Sequence, residues 1–173
     1  GRYNIYNALT AIAVARVFGI SYRDIIERLS SFCFPKSRLQ LIKLGDVRFI
    51  DDTYNANPVS LREALMALER FNVLGRRILI LADMLELGRY EKRFHSQAGK
   101  NIARVCDVLI CVGRLSKLTA DSALKYGLDS KSVFVCKTTQ EAKDILFNRI
   151  DPQPEDIVLA KGSRLMKMEE ILR

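Results

Sequence analysis

The chain has 173 residues, 49% of them hydrophobic and 28% charged, the balance of an ordinary globular protein with length for one full domain and a short attached piece. No apolar run approaches the roughly 20 residues that span a bilayer, no signal-peptide pattern opens the chain, and four cysteines without a Cys-x-x-Cys pair, beside a single histidine, argue against a zinc site and fit a reducing, cytoplasmic setting. The net charge of +8, from 28 Lys and Arg against 20 Asp and Glu, suits an anionic ligand such as a nucleotide or else reflects solvated helix faces; the basic residues are dispersed, so neither a nucleic-acid nor a membrane partner is expected.

Two helical stretches come first. Ala8, Leu9, Ile12, Ala13, Val17 and Phe18 recur at helical spacing within Asn4–Phe18, and Gly19 stops the run. Ser21 is placed to cap a second helix, with Asp24 in the capping-box position and Ile25, Ile26 and Leu29 turned inward. Phe32–Ser37 reads as a linker containing Pro35, which divides the chain into residues 1–36 and 37–173. Gly1 in place of Met implies a chain cut from something longer.

The pattern then changes to strands. Leu39–Leu44 and Val47–Asp51 flank Gly45-Asp46, a two-residue hairpin signal. Asn57 caps and Pro58 opens a helix whose apolar stripe is Leu61, Ala64, Leu65 and Leu68. Strands over 77–82, 107–112, 132–136 and 156–160 alternate with helices over 90–105, 115–126, 139–150 and a short last one over 164–172. This alternation predicts an α/β fold, a three-layer αβα Rossmann-like domain with a mostly parallel sheet and an N-terminal β-hairpin, preceded by two helices. Such sheets bind ligands beyond the carboxyl ends of their strands. The segments of interest therefore follow Asp51, Ala82, Val112, Cys136 and Ala160.

Three of those segments carry chemistry. Asp51-Asp52-Thr53-Tyr54-Asn55-Ala56-Asn57-Pro58 packs carboxylate, hydroxyl, amide and free helix N–H groups into one strand-to-helix junction, able to hold a ribose hydroxyl and an anion; an Asx-rich cap explains part of it. Asp83-Met84-Leu85-Glu86-Leu87-Gly88 offers two carboxylates to an ammonium or a cation, or is a packed loop with its acids in water. Lys161-Gly162-Ser163-Arg164 flanks a turn with two cations, suited to a carboxylate or phosphate or to an ordinary surface turn. His95 has no nucleophile in context and reads as structural. Neither a phosphate loop nor Gly-x-Gly-x-x-Gly is present, and Gly113-Arg114 is too little for a dinucleotide fingerprint.

Taken in order, these segments resemble the motifs of the Mur ligases over nearly the whole chain. Gly1-Arg2-Tyr3-Asn4-Ile5-Tyr6-Asn7-Ala8-Leu9 is similar to the Gly-x-His-Asn-x-x-Asn-Ala-Leu stretch that ends the family's central ATPase domain, with Tyr3 in place of His. Arg38 matches the arginine just past the linker. Asp52-Thr53-Tyr54-Asn55-Ala56-Asn57-Pro58 is similar to the signature of the D-alanyl-D-alanine-adding member. Asp83–Gly88 followed by His95, and Lys161–Arg164 with Met168-Glu169, match the same member, with Ala82 where Gly is usual. The Asp-Asn-Pro-Arg motif of the diaminopimelate- or lysine-adding ligase is absent, and folylpolyglutamate synthases differ at the Asp52 segment.

The resemblance implies that residues 1–36 close a central ATPase domain and that 37–173 form the family's C-terminal domain. It implies an ATP-dependent amide-forming ligase of peptidoglycan precursor synthesis. ATP phosphorylates the carboxylate end of a UDP-N-acetylmuramoyl-tripeptide, and the amine of D-alanyl-D-alanine displaces the phosphate. By the same resemblance Asn7 contacts adenine, Arg38 the phosphate end and Asp52 the ribose of ATP, while Asn55 and Asn57 shape the nucleotide loop. Asp83, Glu86, Lys161, Ser163 and Arg164 face the acceptor. Magnesium ligands and the phosphate loop belong to upstream sequence, with the chain's own central domain as partner, so this piece alone is expected not to ligate. The contrasting expectation is a free-standing, non-catalytic ligand-binding or regulatory module of the same fold.

Overall fold

A computed structural model describes residues 2–33 and 35–173, with the side chains of Arg2 and Tyr3 left aside. Gly1, which opens the first motif, and Phe34 of the expected linker lie outside the described residues, as does the side chain of Tyr3. The chain divides into two compact units, one ending at Pro35 and the other beginning at Lys36. No helix among the described residues is long and apolar enough to cross a membrane.

The first unit is two helices, α1 (Arg2–Val17) and α2 (Tyr22–Ser30). Ser21 caps α2: its Oγ accepts from the Asp24 N–H at 3.2 Å and donates to the Asp24 carboxylate at 2.6 Å. Of the three residues expected inward on α2, Ile25 alone is buried, whereas Ile26 is 63% exposed and Leu29 37%. Leu9, Val17 and Phe18 of the first stretch are exposed too. Two short helices offer each other only one narrow stripe to bury.

The second unit is built on six strands, β1 (Gln40–Leu44), β2 (Val47–Asp52), β3 (Arg77–Ala82), β4 (Val108–Val112), β5 (Val133–Cys136) and β6 (Ile157–Lys161), in the spatial order β1-β2-β6-β3-β4-β5. β1 and β2 form the antiparallel hairpin through Gly45, whose φ of 59° suits glycine at that turn. All other pairings are parallel. Four α-helices connect the strands: α3 (Pro58–Arg70), α4 (Glu91–Ile102), α5 (Ser116–Lys125) and α6 (Thr139–Ile145).

Alternate residues of each central strand feed two cores. Ile50, Leu79, Leu81 and Leu159 pack under α3, α4 and α5. Phe49, Ile78, Ile80 and Val158 pack against α6 and the C-terminal segment through Leu146, Met168 and Ile171. The result is the three-layer αβα sandwich. α3 shows why the sequence folds this way locally. Asn57 and Ser60 form a reciprocal capping box, Pro58 sets the first helical φ, and the stripe Leu61, Ala64, Leu65 and Leu68 is buried. Each buried leucine there contributes roughly 1.5–3 kcal/mol of transfer free energy.

Two expected helices differ. The stretch over 139–150 switches from α to π geometry at Leu146. The stretch over 164–172 is two 3₁₀ segments, Arg164–Met166 and Met168–Leu172, broken at Lys167, whose φ is 48°. The break drops Met168 and Ile171 into the core. Met168 lies directly over Gly162, where an added Cβ would come within 2.6 Å of it. Cys111 and Cys136 are buried, and burial pushes the Cys136 thiol up to about 11, with Glu141 adding to it.

Candidate functional site

Because β6 lies between β2 and β3, the segments that follow these three strands meet at one end of the sheet. They enclose a cavity of about 240 Å³ lined by Asn55–Asn57, Leu85–Leu87 and Ser163–Leu165. Five residues singled out in the sequence therefore share one space: Asn55, Asn57, Glu86, Ser163 and Arg164. Asn7 is exposed on α1 of the first unit.

Asp52 and Lys161 face each other because they are register partners on the parallel strands β2 and β6. The Lys161 ammonium donates to the Asp52 carboxylate and, at 2.9 Å, to the Asn55 carbonyl. Lys161 is 1% exposed and Asp52 8%. Burial pushes the Asp52 carboxyl above its ordinary 3.8, against the pull of Lys161. Burial likewise draws the Lys161 ammonium below its ordinary 10.5, against the pull of Asp52, and nearby Arg38 adds to the lowering. Lys161, expected to face the acceptor, is thus not among the residues lining the cavity. Its charge is spent inside the fold, tying the Asn55 turn to β6.

Arg38 projects from a segment held in an unusual shape. Ser37 and Leu39 on either side of it have φ of 61° and 50°, a conformation that costs roughly 1–3 kcal/mol per non-glycine residue and persists only where its surroundings enforce it. The enforcing groups are the two adjacent carboxylates. Ser37 Oγ donates to Asp51 at 2.9 Å, the Leu39 N–H donates to Asp52 at 3.1 Å, and the Tyr54 N–H donates to the Ser37 carbonyl at 3.1 Å. Asp51 also accepts from the Thr53 N–H and hydroxyl, closing an Asx turn. The exposed Arg38 guanidinium lies 4.1 Å from the centre of the Tyr54 ring. Asp51 and Tyr54 lay in the chemistry-bearing junction without a role of their own, and Ser37 was not singled out. Asp51 carried a signal, an Asp two residues before Thr at a strand end, but nothing local marks Ser37.

Asp83 also departs from its expected place. Its carboxylate accepts the N–H groups of Ser116 at 2.6 Å and Leu115 at 3.2 Å, capping α5 from a neighbouring strand end. Gly113 makes room for this, since a Cβ there would lie 2.7 Å from the carboxylate. Asp83 is 6% exposed and does not line the cavity, and its carboxylate complements the α5 N-terminus. Glu86 instead is the exposed acid of that loop. Ser163 accepts the Leu85 N–H at 2.8 Å, and Arg164, with a 61% exposed side chain, pairs with Glu169 at 2.8 Å. Leu165, 77% exposed on the cavity rim, is a further residue the sequence did not flag.

The cavity thus combines one acid, one arginine, two amides, a hydroxyl and small apolar surfaces. Among the described residues no group of three His, Cys, Asp or Glu could hold a metal ion.

Residues 37–164 match the family described as "Mur ligase, glutamate ligase domain". The chain belongs to the Mur ligase family. It is 36% identical, over its full length, to UDP-N-acetylmuramoyl-tripeptide--D-alanyl-D-alanine ligase of Bacillus subtilis (strain 168), of which it spans 38%. Its fold matches a crystal structure of MurF from Acinetobacter baumannii with a TM-score of 0.86 and 34% identity, over 99% of this chain and 37% of that one. MurF from Thermotoga maritima, crystallised in complex with ADP, matches at a TM-score of 0.71 and 28% identity, over 93% of this chain and 35% of that one. The chain therefore spans little more than a third of the length of these Mur ligases.

Proposed function

We propose that this Mur ligase domain supplies the acceptor side, and part of the nucleotide side, of an ATP-dependent ligase that joins D-alanyl-D-alanine to UDP-N-acetylmuramoyl-tripeptide in peptidoglycan precursor synthesis. The observation that carries the reading is the convergence of the loops after β2, β3 and β6 on one cavity holding Glu86 and Arg164. A dipeptide zwitterion with methyl side chains asks for an acid near its ammonium, a cation near its carboxylate and small apolar walls between. Glu86, Arg164 and the group Ala56, Leu85 and Leu87 have that chemistry. Ser163 lends a hydroxyl, and Asn55 and Asn57 lend amides at the border with the nucleotide side.

Arg38, exposed and braced on Tyr54, is assigned to the phosphate end of ATP, where a guanidinium matches phosphate oxygens. Asp52 is assigned to the ribose, and Asn7 to the base. ATP, when bound, supplies the phosphoryl group that activates the acceptor's partner carboxylate. Positioned cations stabilise charge on the phosphoryl oxygens during that transfer. Magnesium ligands are assigned to the remainder of the ligase, as is the phosphate loop, and residues 1–36 to its central domain. This chain alone is accordingly proposed to be inactive in ligation, and the full ligase to work in the cytoplasm.

The test uses the longer ligase that carries this domain, with phosphate release measured as a function of ATP, tripeptide and dipeptide. Arg164→Ala is expected to raise KM for D-alanyl-D-alanine about ten-fold or more, the loss of one charge-assisted contact, with KM for ATP little changed. A selective rise in KM for ATP, or no dependence of turnover on the dipeptide, sinks the assignment.

A further inference from the structure

We propose that His95 is a positioning residue that sets the acceptor side of the cavity through the backbone of the loop after β3, an inference that rests on the acceptor reading above. His95 is fully buried on α4 and does not line the cavity. Both ring nitrogens are used. Nε2 accepts the Met84 N–H at 3.1 Å, so the ring proton sits on Nδ1, 2.8 Å from the Glu91 carbonyl it donates to. The His95 carbonyl in turn accepts the Thr119 hydroxyl at 3.1 Å, fixing this turn of α4 against α5.

Three consecutive loop amides are thereby captured by three different elements. The Asp83 N–H goes to the Val112 carbonyl at 3.1 Å, the Met84 N–H to His95, and the Leu85 N–H to Ser163 Oγ. The next residue is Glu86, held at a φ of 61° on the cavity wall. A glutamate has no intrinsic reason to adopt that conformation. It is imposed by the residues before it, and among those clamps His95 is the one side chain that does not line the cavity. An apolar side chain could fill the same buried space but could not accept the Met84 N–H. The loop would then be free to relax, carrying Glu86 away from the acceptor ammonium.

Two variants of the full ligase separate this from plain packing. In His95→Gln the terminal amide reaches the place of Nε2 and can accept the Met84 N–H; in His95→Asn it reaches only the place of Nδ1. His95→Asn is expected to raise KM for the dipeptide about ten-fold, the scale of one lost buried hydrogen bond, while KM for ATP stays within about two-fold. His95→Gln should recover most of that loss. Hydrogen exchange at the Met84, Leu85 and Glu86 amides should quicken about ten-fold in His95→Asn and remain near wild type in His95→Gln. Unchanged exchange in His95→Asn, equal shifts in both KM values, or a Gln variant no better than Asn overturns the proposal. Exchange that follows the variants in a ligase whose turnover ignores the dipeptide leaves the loop clamp standing and removes the acceptor reading instead.

Discussion

Asp52 and Asp83 occupy equivalent places, one ending β2 and the other just after β3, and both are nearly buried. Their surroundings differ. Asp52 is met by a full positive charge on Lys161, itself buried, whereas Asp83 is met by two backbone N–H groups at the start of α5. A lysine counter-charge must be desolvated along with the carboxylate, and burial pushes both groups toward their neutral forms. A helix N-terminus carries no such cost, because its N–H groups lack partners within the helix in any case. The first arrangement is expensive and sits where a nucleotide is proposed to bind; the second is an inexpensive joint between strand and helix.

The largest expected effect tests the expensive side. Lys161→Met leaves Asp52 buried without its counter-charge and should lower unfolding free energy by about 3–5 kcal/mol in denaturant titration. Adding Asp52→Leu to that variant should recover most of the loss, since an apolar pair of similar volume needs no charge compensation. A single-variant loss below about 1 kcal/mol would mean that water reaches the pair, and the contrast with Asp83 would disappear.

Next in size is the helix joint. Gly113→Ala places a methyl 2.7 Å from the Asp83 carboxylate at a φ of 106°. It should cost about 2–4 kcal/mol, overpacking and backbone strain combined. Gly127→Ala has a similar φ, 99°, but nothing within 4 Å, so it should cost only the backbone part, about 1–2 kcal/mol. Equal losses for the two would show that Asp83 yields easily and is not a fixed cap.

The same contrast explains what was legible in the sequence. Elements were readable because their signals are local: the Gly45-Asp46 turn, the Asn57-Pro58 cap, the stripe from Leu61 to Leu68 and the apolar runs of β3, β4 and β6. The three chemistry-bearing loops were readable because they follow strand ends. The partners of their charges were not. Lys161 meets Asp52 only because β6 inserts between β2 and β3, a pairing across 109 positions. Asp83 reaches α5 only because Gly113 clears its path. Both residues read as free charges in the sequence, and only the tertiary arrangement of strand order and a clearing glycine gives them these partners. The segment around Arg38 was invisible for a similar reason, since the φ of Ser37 and Leu39 is dictated by Asp51 and Asp52 from another strand.

Another buried aspartate sharpens the comparison through pH. Asp156, at the start of β6, is buried, which alone would raise its carboxyl; hydrogen bonds from the Arg76 side chain and from the Gln153 and Arg76 N–H groups outweigh that and hold it below its ordinary 3.8. A carboxyl lowered in the folded state contributes stability that is fully present above 3.8 and is lost as pH falls through the lowered value. Asp156→Asn should therefore cost about 1.5–3 kcal/mol near neutrality, the value of hydrogen bonds to a charged group. The gap to wild type should narrow as unfolding is measured at progressively more acidic pH. A gap that stays constant down to the acid transition would show that the carboxylate's charge is not what stabilises this corner.

The smallest expected effect on stability belongs to Arg38, which makes the comparison one between buried and exposed charge. Its guanidinium is exposed and its recorded contact is the Tyr54 ring at 4.1 Å, worth roughly 0.5–1 kcal/mol at such a site. Arg38→Ala should therefore leave unfolding free energy within about 1 kcal/mol of wild type. If Arg38 meets phosphate, the same variant in the longer ligase should raise KM for ATP at least about ten-fold with KM for the dipeptide nearly unchanged. Arg38→Lys should fall between, keeping the charge but losing the planar fork and the ring stack. The strained backbone on either side would then have an account, because fixing Ser37 and Leu39 in costly conformations is reasonable only where the residue between them must point one way. An Arg38→Ala protein that loses several kcal/mol of stability and keeps its ATP dependence would reverse that account, making the arginine a brace for the turn rather than a contact for the nucleotide.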